Sequence, residues 1–314
     1  MYDTTTKKKI NIMDFGLKYV EAASAKEAYQ KLCKMIDKEG HYIEARNEPT
    51  KEILNAAVLI KNPRDRIIPI ERFRHDFILQ ESFDILNENP PRVYHSKEML
   101  EKTMGNSENI MFFGNEMRQA FSRWSLLKIL EYFKQDKNTR KAILDLGNRR
   151  PVVHNPCLIY AHFLIRDDKL HLSAETRGTA ISMGFTNDVF FFTLIQEIML
   201  GWLREYYPLL EMGDFLYKTG SLHYYCDKDG EPLWSQEMSK VIPMPDKAFD
   251  LTYSQYIREM GALYHYVDQY MKAHPEENVD EGIISTVDDC QAPDSDLFVS
   301  EFFHTWAYKL YNTL

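Results

Sequence analysis

From Asp188 to Tyr207 the chain reads DVFFFTLIQEIMLGWLREYY, a helix-length run that is apolar almost all round. A helix without a polar face cannot lie at a surface, so it must sit inside a fold and be covered on several sides. Strand-forming sequence flanks it. Upstream, CLIYAHFLIRDDKLHLSAETR (157–177) contains two β-rich stretches about Arg166-Asp167-Asp168-Lys169, a hairpin turn signal. Downstream, GDFLYKTGSLHYY (213–225) reads as a strand with aromatic decoration.

The rest of the chain fits the same plan. SAKEAYQKLCKMIDKEG (24–40) is an amphipathic helix, with Ser24 as N-cap, Glu27 three residues on and Gly40 as stop. AAVLIKNPRDR (56–66) is an apolar strand running into an arginine-bearing loop. WSLLKILEYFKQDKNTRK (124–141) is a second amphipathic helix, and KAILDLG (141–147) a strand. Residues 72–91 become helical and end at a Pro pair. From about 246 the chain turns helical and acidic. There is no internal repeat and no low-complexity linker. Strands mixed with long buried helices predict one α+β domain around a large sheet. It spans residues 1–245, and a helical C-terminal extension, 246–314, packs on it.

Of 314 residues, 44% are hydrophobic, enough for a real core, and the net charge is −9. That balance excludes a general nucleic-acid surface but not a small anionic ligand, which needs only a local arginine cluster. The opening MYDTTTKKKINIMDF is polar and basic, and no apolar run reaches the length of a membrane span, so neither a leader nor a membrane role is expected. The four cysteines, Cys33, Cys157, Cys226 and Cys290, form no CxxC pair. No metal site is expected, and free thiols in a reducing cytoplasm are.

Several residues carry possible chemistry. Cys157 follows Pro156 and precedes a strand; near cationic groups such a thiol is a nucleophile, and otherwise a small buried hydrophobe. Arg64, Arg66, Arg140 and Arg177 suit phosphate because guanidinium donors match its oxygens in pairs, though singly each reads as surface charge. His223 and Tyr225 share a strand face and can hydrogen-bond a sugar hydroxyl, or pack in a core. Glu81, in LQESFDIL, is a surface carboxylate or a perturbed proton relay. Asp188 is a helix N-cap or a ligand-facing acid.

In order and spacing these residues resemble the thymidylate synthase superfamily. Pro156-Cys157 is similar to its Pro-Cys nucleophile. The segment Arg177-Gly178-Thr179-Ala180…Gly184…Asp188 is similar to its Arg-Ser-x-Asp…Gly…Asn, with no gap from 177 to 188. Gly220-Ser221-Leu222-His223-Tyr224-Tyr225 is similar to Gly-Asp-x-His-x-Tyr. Upstream, Thr139-Arg140-Lys141 takes the place of Ser-Arg-Arg, and Phe113-Gly114-Asn115-Glu116-Met117-Arg118 of Tyr-Gly-x-x-Trp-Arg. Glu81 looks like the family's helix glutamate. The likeness covers roughly residues 55–225.

The resemblance implies the family fold, a large mixed β-sheet covered by helices. It also implies a homodimer in which Arg140 and Lys141 reach the other subunit's site. Cys157 would add to C6 of a pyrimidine nucleoside monophosphate, so that C5 takes a one-carbon unit from the co-substrate 5,10-methylenetetrahydrofolate. Glu81 would organise water. Arg64 or Arg66, Arg140, Lys141, Arg177 and Gly178 would surround the phosphate, and His223 and Tyr225 the sugar. Phe113 and Gly184 would lie against the folate.

The departures bear on substrate. Asp188 stands where the synthases carry Asn and where the family's cytidylate hydroxymethylases carry Asp. Leu158 replaces the synthase histidine after the cysteine, as in those hydroxymethylases. Ala180 replaces the pterin-binding aspartate. Gly178 and Lys141 are similar to changes in enzymes that take CMP rather than dCMP. The expectation is therefore conversion of CMP or dCMP to its 5-hydroxymethyl derivative. The alternatives are a thymidylate synthase methylating dUMP and a non-catalytic nucleotide-binding relative.

Overall fold

The computed structural model describes residues 14–45, 48–70, 82, 86, 122–145, 157–233, 235–238, 250–259 and 261–262. Glu81 and Phe113 lie outside them, and of the helix expected over 72–91 only Ser82 and Leu86 are described, both helical and buried.

Eight strands form one mixed sheet. They are β1 (Lys18–Ala22), β2 (His41–Ala45), β3 (Glu48–Ile60), β4 (Ile143–Asp145), β5 (Leu158–Arg166), β6 (Lys169–Thr176), β7 (Thr179–Ala180) and β8 (Glu211–Tyr225). The order is β1-β3-β8-β6-β5-β4, with β2 added to β3 and β7 to β8. β1 runs parallel to β3, and β6 and β7 parallel to β8; the other pairs are antiparallel. Parallel neighbours need a crossover. Helix α1 (Ala25–Glu39) lies in the connection from β1 to β3, and α3 (Thr186–Leu203) makes the one from β6 to β8. Helix α2 (Arg123–Gln135) packs against α3 and β4.

Helix α1 starts where the capping pattern places it. The Ser24 hydroxyl accepts from the Glu27 amide at 3.2 Å, and Glu27 Oε2 accepts from the Ala23 amide at 2.7 Å. Its buried stripe of Ala28, Tyr29, Leu32 and Ile36 lies on the sheet. The β5–β6 hairpin turns on Asp167 and Asp168, both at positive φ (50° and 54°), the conformation of a two-residue turn matched to strand twist. Asn55, at φ 54°, interrupts the β3–β8 ladder, and its side-chain amide donates to the Phe15 carbonyl at 2.7 Å.

As the apolar run requires, α3 is buried over almost its whole length. Each large side chain removed from water favours folding by roughly 2 kcal/mol before entropy is subtracted. Phe192 stacks on Phe215 of β8, with ring centroids 6.1 Å apart. The two polar residues in its second half are both used. Gln196 donates to the carbonyls of Leu170, Gly213 and Asp214, where the β6–β8 register shifts. Glu197 pairs with Arg64 and Arg66. Residues 250–259 pack on the far end of α3. Leu251 backbone fills the space beside Gly201, and Tyr256 meets Trp202 edge-on at 5.2 Å.

Strand alternation gives the sheet two unlike faces. Phe215, Tyr217, Thr219, Leu222 and Tyr224 of β8 are buried toward α1 and α3, while Leu216, Lys218, Ser221, His223 and Tyr225 are half-buried on the other side.

Candidate active site

The site residues gather at one end of the sheet because of register. Leu158 opens β5 opposite Thr176, the last residue of β6. Cys157 and Arg177 therefore face each other just beyond the ladder, and the Arg177 amide donates to the Cys157 carbonyl at 2.8 Å. Both side chains are exposed. Cys33 and Cys226, by contrast, are buried, and burial pushes both thiols up, that of Cys33 to about 12. Among the described cysteines only Cys157 is placed for nucleophilic work.

The third member of this end comes from β8. Thr219 lies opposite Thr176, and β7 brings Thr179 and Ala180 opposite Leu222 and His223. The chain needs glycine at 220, since a Cβ there would stand 2.8 Å from the Arg177 carbonyl. Gly178 is different: a Cβ would meet Ser221 only at ordinary contact distance, so no steric demand explains it.

His223 and Tyr225 share the half-buried face, with rings edge-on at 5.6 Å. Ser221 donates to Glu52 Oε2 at 2.6 Å, and its oxygen lies 3.3 Å from His223 Nδ1. With the serine proton spent on Glu52, the serine oxygen accepts from His223 Nδ1–H. Glu52 was not among the residues singled out from sequence. Only its register opposite His223 connects it to the site.

Asp188 is approached through an irregular turn. Residues Ile181–Phe185 form a π-helical turn, and α3 begins without a capping side chain. Such turns often occur at functional sites. The N-cap alternative for Asp188 is thus set aside: it sits in the first turn and its carboxyl points to the sheet. The Tyr217 hydroxyl donates to Asp188 Oδ2 at 2.6 Å, and Thr179 is a second hydroxyl partner. Tyr217 OH in turn lies 3.1 Å from Thr176 Oγ1. Burial raises the Asp188 carboxyl to about 6, against the pull of the two hydroxyls. Burial, with the charge of Asp188 added, also raises Tyr217. A Cβ at Gly184 would overlap the Thr179 hydroxyl, so glycine at 184 protects a support of Asp188.

Not every expected residue converges here. Arg66 is 1% exposed and paired with Glu197, and Arg64 joins the same cluster with Asp250 and Arg204. Glu197 lies nine residues beyond Asp188 on α3, about 14 Å along the helix. The loop after β3 leaves the sheet opposite Phe215, away from His223. Arg64 and Arg66 thus pair with carboxylates toward the Phe215 end of β8, and the structure does not bring them beside Cys157 and Arg177. Arg140 and Lys141 are exposed at the start of β4. Ala142 bonds to Phe163, so within one chain they stand about 20 Å from Cys157 along β5.

For a pterin, the described surroundings offer apolar contact. Ala180, Met183 and Gly184 are half-buried, and no carboxylate stands at 180. A neutral ring system fits such a surface by stacking rather than by a charged anchor. Among the described residues no cluster of three or more His, Cys, Asp or Glu could hold a metal ion, and no helix is long and apolar enough to cross a membrane.

No protein-family model matches the chain. Several curated proteins are similar to it, among them the following three. Deoxyuridylate hydroxymethyltransferase of Bacillus phage SP01 is 26% identical over 243 residues, which cover 68% of this chain and 60% of the phage protein. A putative thymidylate synthase of Methanocaldococcus jannaschii is 24% identical over 225 residues, 67% of this chain and 91% of the relative. The thymidylate synthase of Vesicomyosocius okutanii is 25% identical over 103 residues, 32% and 37% of the two chains. This chain thus spans about three fifths of the length of the phage relative.

Proposed function

We propose that this chain, which its homologues assign to the thymidylate synthase superfamily with a hydroxymethylase branch, is a cytoplasmic cytidylate 5-hydroxymethyltransferase acting on CMP or dCMP. The names of the relatives support the coarser activity, a pyrimidine C5 methyl or hydroxymethyl transferase. Asp188 carries the choice of cytosine. Cytosine presents a bare N3 and an amino group. Raised to about 6, the Asp188 carboxyl takes up a proton more readily than an ordinary one, and when protonated it donates to N3 and accepts from the amino group.

In this reading the exposed Cys157 thiolate adds to C6. The S–C6 bond forms as the C5–C6 π pair moves to C5, which becomes the nucleophile. Methylenetetrahydrofolate, the family's co-substrate, supplies a one-carbon unit at the oxidation level of formaldehyde. Bonding of that carbon to C5, loss of the C5 proton with departure of tetrahydrofolate, addition of water to the resulting exocyclic methylene and expulsion of the Cys157 thiolate would then release the product. Glu81 would order the water. Arg177, beside Cys157 and exposed, holds the phosphate, with Gly178 next to it. His223 and Tyr225 hold the sugar. Holding base, phosphate and thiol together removes most of the entropic barrier to the first addition.

Arg140 and Lys141 serve the other subunit of a homodimer. Their exposure and distance from Cys157 of their own chain support this. So does the half-buried outer face of the sheet, where Leu59, Leu164 and Leu216 stand among polar groups.

The name of the phage relative favours a second reading, hydroxymethylation of deoxyuridylate. One assay separates the readings. The protein is incubated with CMP, dCMP, UMP or dUMP and methylenetetrahydrofolate, and the products are weighed by mass spectrometry. Gain of CH2O on a cytosine nucleotide is expected, with Cys157→Ser inactive. Gain of CH2O on dUMP alone transfers the assignment to the second reading. Gain of CH2 on dUMP alone makes the protein a thymidylate synthase.

A further inference from the structure

Asp188 does not act alone. We propose that Tyr217 is a positioning residue that fixes the hydrogen-bond polarity of the Asp188 carboxyl and thereby the choice between cytosine and uracil. The inference rests on the reading that Asp188 faces the base.

The ring of Tyr217 is locked. It is 1% exposed, edge-on to Phe185 at 5.3 Å and tilted against Phe215 at 6.3 Å. Its hydroxyl can therefore only stay where it is, 2.6 Å from Asp188 Oδ2 and 3.1 Å from Thr176 Oγ1. A phenol has one proton to give. Given to Oδ2, it obliges Thr176 to donate to the phenol oxygen. The buried chain then runs one way, from Thr176 through Tyr217 to Asp188.

Direction has a consequence at the carboxyl. Oδ2 is held as an acceptor, so a proton taken up by Asp188 resides on Oδ1. The neutral group then offers a donor at Oδ1 and a remaining lone pair at Oδ2. Cytosine reads N3 acceptor, then amino donor. Uracil reads N3 donor, then O4 acceptor. The two edges need opposite polarities. A base tethered through C6 cannot turn over to exchange them, so a carboxyl locked in one polarity accepts one base. Without the phenol Oδ2 loses the donor that holds it as an acceptor, the Thr179 hydroxyl is the partner that remains, the proton is no longer confined to Oδ1, and both bases are served.

The test is the ratio of kcat/KM for the cytosine nucleotide to that for the matching uracil nucleotide, in the full-length protein with methylenetetrahydrofolate. Tyr217→Phe removes one oxygen and keeps the ring packing, so the variant folds. The ratio is expected to fall roughly tenfold, the worth of about one hydrogen bond. Thr176→Val removes a neighbouring hydroxyl but leaves the phenol proton on Asp188, and keeps the ratio within about twofold. Asp188→Asn is measured alongside. If Asp188→Asn changes base preference and Tyr217→Phe does not, the proposal is overturned while the role of Asp188 stands. If neither variant changes it, the reading of Asp188 falls and this inference with it. An equal fall for Thr176→Val and Tyr217→Phe also overturns it, because loss of any buried hydroxyl would then suffice.

Discussion

Asp188 makes folding and function pull against each other. Its folded value of about 6 lies above the ordinary one near 3.8. Between these values the unfolded chain has released the proton while the folded chain keeps it, so stability falls as pH rises through that window. Above about pH 6 the full penalty is present, on the order of 3 kcal/mol. Asp188→Asn keeps an acceptor for Tyr217 and removes the ionisation. We expect it to melt higher than the parent at pH 8, with a distinctly smaller gain at pH 5. The same gain at both values would show that burial of the charge is not the cause. The residue type at 188 was legible in the sequence, but its acid strength was not, because that depends on Tyr217, Thr176 and Thr179. These lie 9 to 29 residues away in sequence, and no motif marks them.

Among the elements, α3 and the hairpin before it were readable because their signals are local. A helix apolar on all sides can only be a core helix, and Asp167-Asp168 between two alternating stretches can only turn. Helix α1 likewise followed from Ser24, Glu27 and Gly40. What escaped were β1, β2, β7 and the first eight residues of β3, which are short or polar and become strands only through partners. Gln196 shows the same limit. In sequence it is a polar residue in an apolar run. In the fold it donates to three carbonyls, those of Leu170, Gly213 and Asp214. Gln196→Leu strands these acceptors at the register shift. We expect it to lower stability by about 2 kcal/mol in urea unfolding, with the slope unchanged. A cost within about 0.5 kcal/mol would mean that water or backbone movement replaces the amide.

For the whole molecule, the decisive matter is where the arginines end up. Guanidinium chemistry suited all of them to phosphate, and only topology separated their fates. Arg64 and Arg66 follow β3 to the end of the sheet where Glu197 waits, while Arg177 follows β6 to the end where Cys157 begins β5. Arg140 and Lys141 are left exposed, far from their own Cys157, as a residue serving a neighbour would be. Complementation tests this. Cys157→Ser and Arg140→Ala proteins, each inactive, are unfolded, mixed in equal amounts and refolded together. Half of the dimers would then pair one of each and hold one intact site, restoring about a quarter of the parental activity. No recovery would place Arg140 in its own subunit's site, or in none.

The sequence by itself determined the local facts. These are the buried helix, the hairpin, the capped first helix, and a thiol, an arginine and a carboxylate in family order. Each depends on neighbours a few residues apart, which is the range over which side-chain pattern acts. The tertiary structure alone decided which charges pair with one another, as Arg64 and Arg66 do with Glu197. It also decided that burial raises the carboxyl of Asp188 to about 6. Those outcomes depend on burial and on pairing across the sheet, and register between distant strands is written in no single stretch of chain.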